Sequence, residues 1–211
     1  MDRKIEAFEA VERIINTLEE EGYDINETEA LTSGHYFGEI ECEWGASRLV
    51  IWDSFYDYVI KVPLEPEYEK YCQREVDIYE AAVEEGLEEN FGCCACYQNS
   101  IEDGIGIYVM EFLTGGEDDA YNSAWEYGYK AYCEREGLNS NSSEARERFE
   151  SDYSYDYDNE MMFDFFKSQD ETKAISLDSF IYDWSINDLH PGNYLFRDNR
   201  LVICDYGGWD W

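Results

Sequence analysis

Basic side chains are scarce in this sequence: 15 Lys and Arg stand against 50 Asp and Glu in 211 residues, a formal net charge of −35. That scarcity excludes direct nucleic-acid binding through a basic face, because phosphate contacts need clustered Lys and Arg. It argues equally against docking on an anionic membrane surface. No run approaches the roughly 18 apolar residues of a membrane-spanning helix. The opening MDRKIEAFEAVERII has no apolar signal core, so a cytoplasmic chain, or one delivered into a host cytosol, is expected. Histidine is nearly absent, with only His35 and His190, and neither is near the crowded Cys93, Cys94 and Cys96. The seven cysteines form no regular framework and read as reduced, buried thiols in place of disulfides or a metal centre.

What is present suffices to fold. Hydrophobic residues make up 44% of the chain and aromatics 17%, so the acidity belongs to the surface of a folded protein, not to a disordered one. The length accommodates one domain or two small lobes. Ile5, Phe8, Val11, Ile14, Ile15 and Leu18 recur at helical spacing, and Gly22 supplies a stop. Arg48–Trp52 and Tyr58–Val62 read as strands, Tyr68–Gly86 as a helix. Cys93–Gln98 and Ile105–Leu113 read as two more strands, joined through an Asp-Gly hairpin signal within 99–104.

From Thr114 the chain turns acidic and polar. Gly115-Gly116 marks a hinge-like break, and the Ser/Asn/Asp/Tyr-rich stretch near 137–159 reads as loop or weakly ordered chain. Helical spacing returns at Met161, Met162, Phe165 and Phe166. It returns again at Leu177, Phe180, Ile181 and Trp184, with Ser176 as the expected N-cap. Tyr194–Phe196 and Leu201–Cys204 form a terminal hairpin around Arg-Asp-Asn-Arg. The expected division is an N-terminal helix over 1–22, a sheet-rich lobe over 23–113 and a helical lobe over 114–211.

The last segment carries the chemistry. Asp188 and Asn193 lie on one loop, and the hairpin returns the chain to Asp205. Two carboxylates and a carboxamide are hard oxygen donors, suited to Mg²⁺ holding phosphates. One carboxylate can instead take a proton from an attacking hydroxyl. Lys61 sits mid-strand among apolar neighbours, where a charge is costly without a partner.

Asp188-Leu-His-Pro-Gly-Asn193, followed by Asp205-Tyr-Gly207, resembles the catalytic loop and metal-binding motif of the protein-kinase-like superfamily, in the form found in aminoglycoside and choline kinases. The resemblance implies an α+β, two-lobed fold with an antiparallel-sheet small lobe and a stunted helical large lobe. It implies Mg-ATP-dependent phosphotransfer to an alcohol, with Asp188 as catalytic base and Asn193 and Asp205 on Mg²⁺. Tyr58-Val-Ile-Lys61-Val is similar to the strand that carries the phosphate-contacting lysine. Glu75, in preference to Glu80, would be its partner. Met110 would stand as gatekeeper, with the backbone of Glu111 and Leu113 meeting the adenine. The sequence departs from the family pattern at Ile186 and Asn187, which replace the usual His-Arg or His-Gly. It departs again in its glycine-rich loop, where Gly34, Gly38 and Gly45 do not form G-x-G-x-x-G.

The abridged large lobe points to a protein hydroxyl as acceptor, and a field of −35 suits a basic protein partner. The alternative reading is a catalytically weak or dead kinase-like binding module. Its acidic surface would occupy a basic site on another protein, including one that binds nucleic acid.

Overall fold

The computed structural model describes residues 3–27, 31, 36–37, 39–45, 47–53, 57–98, 106–115, 117–152, 155–187 and 189–207. The chain divides into two compact units, one ending at Leu113 and the other beginning at Thr114.

The first unit is built on a six-stranded antiparallel sheet: β1 (Tyr36–Phe37), β2 (Ile40–Trp44), β3 (Arg48–Asp53), β4 (Tyr58–Pro63), β5 (Cys94–Gln98) and β6 (Ile107–Glu111). The strand order is β1-β2-β3-β4-β6-β5. Strand residues alternate between faces. On one face Leu49, Ile51, Ile60, Val62, Ile107 and Val109 are buried, and against them packs helix α1 (Arg3–Glu20) through Ala7, Val11, Ile14 and Leu18. Each fully buried Ile or Leu contributes about 1.5–3 kcal/mol by leaving water, so α1 belongs to the same core as the sheet. Helix α1 ends in a Schellman motif: Gly22 at φ +87° donates to Glu19 O (3.0 Å) and Tyr23 to Leu18 O (2.9 Å). Helix α2 (Glu69–Glu84) sends side chains to the opposite face of the sheet.

The second unit holds α3 (Glu117–Glu136), α4 (Ser143–Asp152), α5 (Tyr155–Ser168), α6 (Ala174–Asp183) and the hairpin β7 (Tyr194–Arg197) and β8 (Arg200–Ile203). Helices α3 and α5 meet closely at Gly128, where an added Cβ would lie 2.6 Å from Met161 Sδ. The hairpin turns on Asp198 (φ +49°) and Asn199 (φ +67°), a left-handed pair of the kind that matches strand twist.

Two expectations need correction. The polar stretch 137–159 is not loop, since it holds α4 and the start of α5. Ser142 caps α4, its Oγ accepting from Ala145 N at 3.1 Å. Phe149 then anchors the helix among Trp125, Tyr129 and Tyr132, at ring separations of 5.2–5.4 Å. A cap and one aromatic anchor outweighed a composition poor in apolar residues. Ser176 is not the N-cap of α6, which begins two residues earlier with Lys173 in that place. The expected Asp-Gly turn, and the residues Gly34, His35 and Gly38, lie outside the described residues. Among the described residues no helix is long and apolar enough to cross a membrane.

Candidate active site

Strand β4 is buried from Val59 to Pro63, so Lys61 brings its charge into the interior, where an ammonium needs a partner. The partner is Glu75, from the second turn of α2 and fully buried. Lys61 Nζ donates to both carboxylate oxygens, at 3.0 and 3.1 Å. The structure therefore brings together the predicted Lys61 and Glu75.

A third member, Arg48, was not anticipated. It opens β3, is nearly buried, and its Nη1 donates to Glu75 Oε1 at 2.7 Å. The register explains the meeting: Arg48 pairs with Pro63 and Val50 with Lys61, so all four side chains leave one face of the hairpin. A hairpin register drawn between the two strand-like runs would have exposed this signal. Two cations thus share one buried carboxylate. Cys72, one turn before Glu75 on α2, lies against the cluster. Burial, then the Glu75 carboxylate, pushes its thiol up to about 12, opposed by Arg48 and Lys61. Burial likewise holds the Cys94 thiol well above its ordinary range.

Met110 is buried on β6, paired with Val59 and with Cys94. Glu111 follows it, and its N–H is engaged by Cys93 O at 2.9 Å, while its carboxylate accepts from Cys93 N at 3.2 Å. Leu113 is buried. Tyr108 donates to Glu69 Oε1 at 2.9 Å, a second tie from the sheet to α2.

In the second unit, a short 3₁₀ turn (Pro191–Asn193) leads into β7. Its geometry is fixed by His190, whose Nδ1 accepts from Gly192 N at 3.1 Å and whose carbonyl accepts from Asn193 N at 2.9 Å. Asn193 is buried, and its carbonyl accepts from Cys204 N at 2.8 Å. That bond closes the base of the hairpin one residue before Asp205. Asp205 has φ +52°, a left-handed backbone that costs a non-glycine residue about 1–2 kcal/mol. Such strain persists where the surroundings over-determine it. Asp188 lies outside the described residues.

Asn193 and Asp205 fit a hard divalent cation by donor type. Among the described residues no three His, Cys, Asp or Glu side chains are grouped to hold a metal ion, Cys93, Cys94 and Cys96 included.

These elements define an α+β protein whose first unit holds a buried Lys61–Glu75 pair between a strand and a helix, and whose second unit carries Asn193 and Asp205 at the base of a hairpin. Compared with known proteins, the chain matches no family model and no curated protein. Among solved structures it is similar to the streptomycin–ATP–APH(2")-IIa ternary complex, whose protein is an aminoglycoside phosphotransferase. The identity is 16% and the TM-score 0.39, over 88% of this chain and 71% of that one.

Proposed function

We propose that the chain is an ATP- and Mg²⁺-dependent phosphotransferase that acts on a hydroxyl of a basic protein. The observation that carries the reading is the Lys61–Glu75 pair. A buried lysine gripped by both oxygens of a helix carboxylate is held at one position, which is what contact with a phosphate requires. Arg48 supports it by taking up part of the Glu75 charge, so Lys61 keeps attraction for an anion.

In this reading Lys61 binds and orients the nucleotide phosphates, and Glu75 fixes Lys61. Met110 closes the back of the base pocket, with the backbone of Glu111 and Leu113 meeting the adenine. Asn193 and Asp205 would hold Mg²⁺, which when bound supplies positive charge against the phosphate oxygens. Asp188 would accept the acceptor hydroxyl's proton.

The test is transfer of labelled γ-phosphate from ATP to basic proteins. The reading expects Asp188→Asn to lower the transfer rate by at least about a hundredfold while nucleotide binding persists, as for loss of a general base. Equal transfer by the Asp188→Asn chain would contradict it. Nucleotide-independent binding of a basic partner, unchanged by Asp188→Asn, would favour the acidic binding module instead.

A further inference from the structure

Helix α6 presents to solvent a face of a kind that folded chains ordinarily cover. Ile175 is 82% exposed and Tyr182 is 83% exposed. They stand seven residues apart, two turns along one side and about 10 Å, with the exposed Asp178 between them. Beside the C-terminal half of the helix opens a groove of about 610 Å³, lined in part by Asp178, Ile181, Tyr182, Asp183, Ile186 and Asn187. Its walls are fixed by a Schellman motif: Ser185 N donates to Tyr182 O and Ile186 N to Ile181 O, both at 3.0 Å. Ile181, Tyr182 and the buried Ile186 supply the apolar part of the lining, and Asp178 and Asp183 its acidic part. Lys167 shares its charge between Asp178 (3.2 Å) and Asp164 (3.3 Å). Asp183 makes no ion pair among the described residues.

We propose that this groove and the exposed face of α6 dock a cationic peptide segment of a partner protein. That segment carries two aliphatic side chains three residues apart, with Lys or Arg between and beside them. The spacing follows from the surface. In an extended, polyproline-like segment residues i and i+3 share a side and lie about 9 Å apart, which matches the separation of Ile175 and Tyr182. The charge follows from Asp183 and the chain's net −35, Asp178 being already paired with Lys167, and an arginine can also stack on the Tyr182 ring. A second copy of the chain is disfavoured as occupant by the repulsion between two chains of −35 each. A polyamine supplies charge but nothing for Ile175 and Tyr182 to cover. The inference stands apart from phosphotransfer, and its readout is binding without nucleotide.

The experiment measures anisotropy of a labelled ten-residue peptide titrated with the full chain, the peptide bearing two leucines three residues apart among four arginines. Saturable binding is expected. Ile175→Ser with Tyr182→Ser should weaken it at least about tenfold, as for loss of anchoring contacts. Asp183→Asn should weaken it a few-fold at low salt and much less at high salt. Both anchors are exposed, so the variants should retain the parent's circular dichroism and melting temperature. Glu19→Gln with Glu20→Gln, which removes two exposed charges from α1, should change binding less than about twofold, because neither residue lies on α6 or lines the groove. The proposal is overturned by absence of saturable binding, or by equal binding of a peptide with serines for leucines. It is overturned equally by equal binding of the Ile175/Tyr182 variant, by displacement with a polyamine at equal charge, or by an equal loss in the α1 variant.

Discussion

Arg48 and Lys61 hold the same oxygen of Glu75, at 2.7 and 3.0 Å, and all three side chains are buried. Removing different members should therefore have unequal effects. Glu75→Ala leaves two buried cations facing each other, and breaking a buried ionic group in this way costs about 3–5 kcal/mol. Arg48→Met leaves the Lys61–Glu75 pair intact and replaces the guanidinium with an apolar chain of similar length, so its cost should be no more than about 2 kcal/mol. Urea denaturation of both variants checks the order. Equal losses would contradict the ranking and mean that the cluster depends on Arg48 as much as on Glu75.

The cysteine chemistry has a sign that can be checked. Burial lifts the Cys42 and Cys72 thiols from 9.0 to about 12, so the fold retains protons that the unfolded chain releases. Their contribution to stability is complete below pH 9 and is lost as pH rises toward 12. At pH 8 the folded chain should therefore leave Cys42 and Cys72 unmodified by iodoacetamide while the half-buried Cys96 reacts, and all seven thiols should react in denaturant. Peptide mass spectrometry reads this out. Rapid labelling of Cys72 in the folded chain would contradict the burial described.

Backbone conformation yields a third expectation. Ser185 ends α6 at φ +49° in the position that Gly22 fills at the end of α1. A left-handed serine is strained where glycine is not, so Ser185→Gly should stabilise the chain by about 0.5–1 kcal/mol after the entropy of the added glycine is counted. Gly128→Val should do the opposite, since its first side-chain atom would lie 2.6 Å from Sδ of the buried Met161 and the methionine would have to leave its packed position. Thermal melts of both variants should move in opposite directions.

How much of this was legible in the sequence differs by element. Strands β3 to β6 and helices α1 and α2 could be read because their apolar periodicity agrees with their burial, as at Leu49, Ile51, Ile60 and Val62. Lys61 stood out as a charge inside such a run that needs a partner, and only the resemblance to the kinase-like superfamily names Glu75 of α2 as that partner. Arg48 was missed because it sits at the edge of its run and its burial depends on cross-strand register, a non-local property. Helix α4 was missed because its burial rests on Ala145 and Phe149 alone, and the aromatic neighbours that cover Phe149 come from α3. Asn193 could be read from the loop motif. The bond from Cys204 N to its carbonyl depends on hairpin closure, which no local pattern reveals.

The central claim, that Lys61 with Glu75 and Asn193 with Asp205 serve Mg-ATP, is tested most directly by thermal unfolding with Mg²⁺ alone and with Mg-ATP. Mg²⁺ alone is the needed control, since any chain of net charge −35 gathers cations loosely. ATP at 100 times its dissociation constant stabilises a binding fold by about 2.7 kcal/mol, a shift of several degrees at this size. The account predicts that shift for the native chain and its loss in both Lys61→Met and Asp205→Ala. A melting temperature that ATP leaves where Mg²⁺ put it, or a shift that both variants keep, would contradict it.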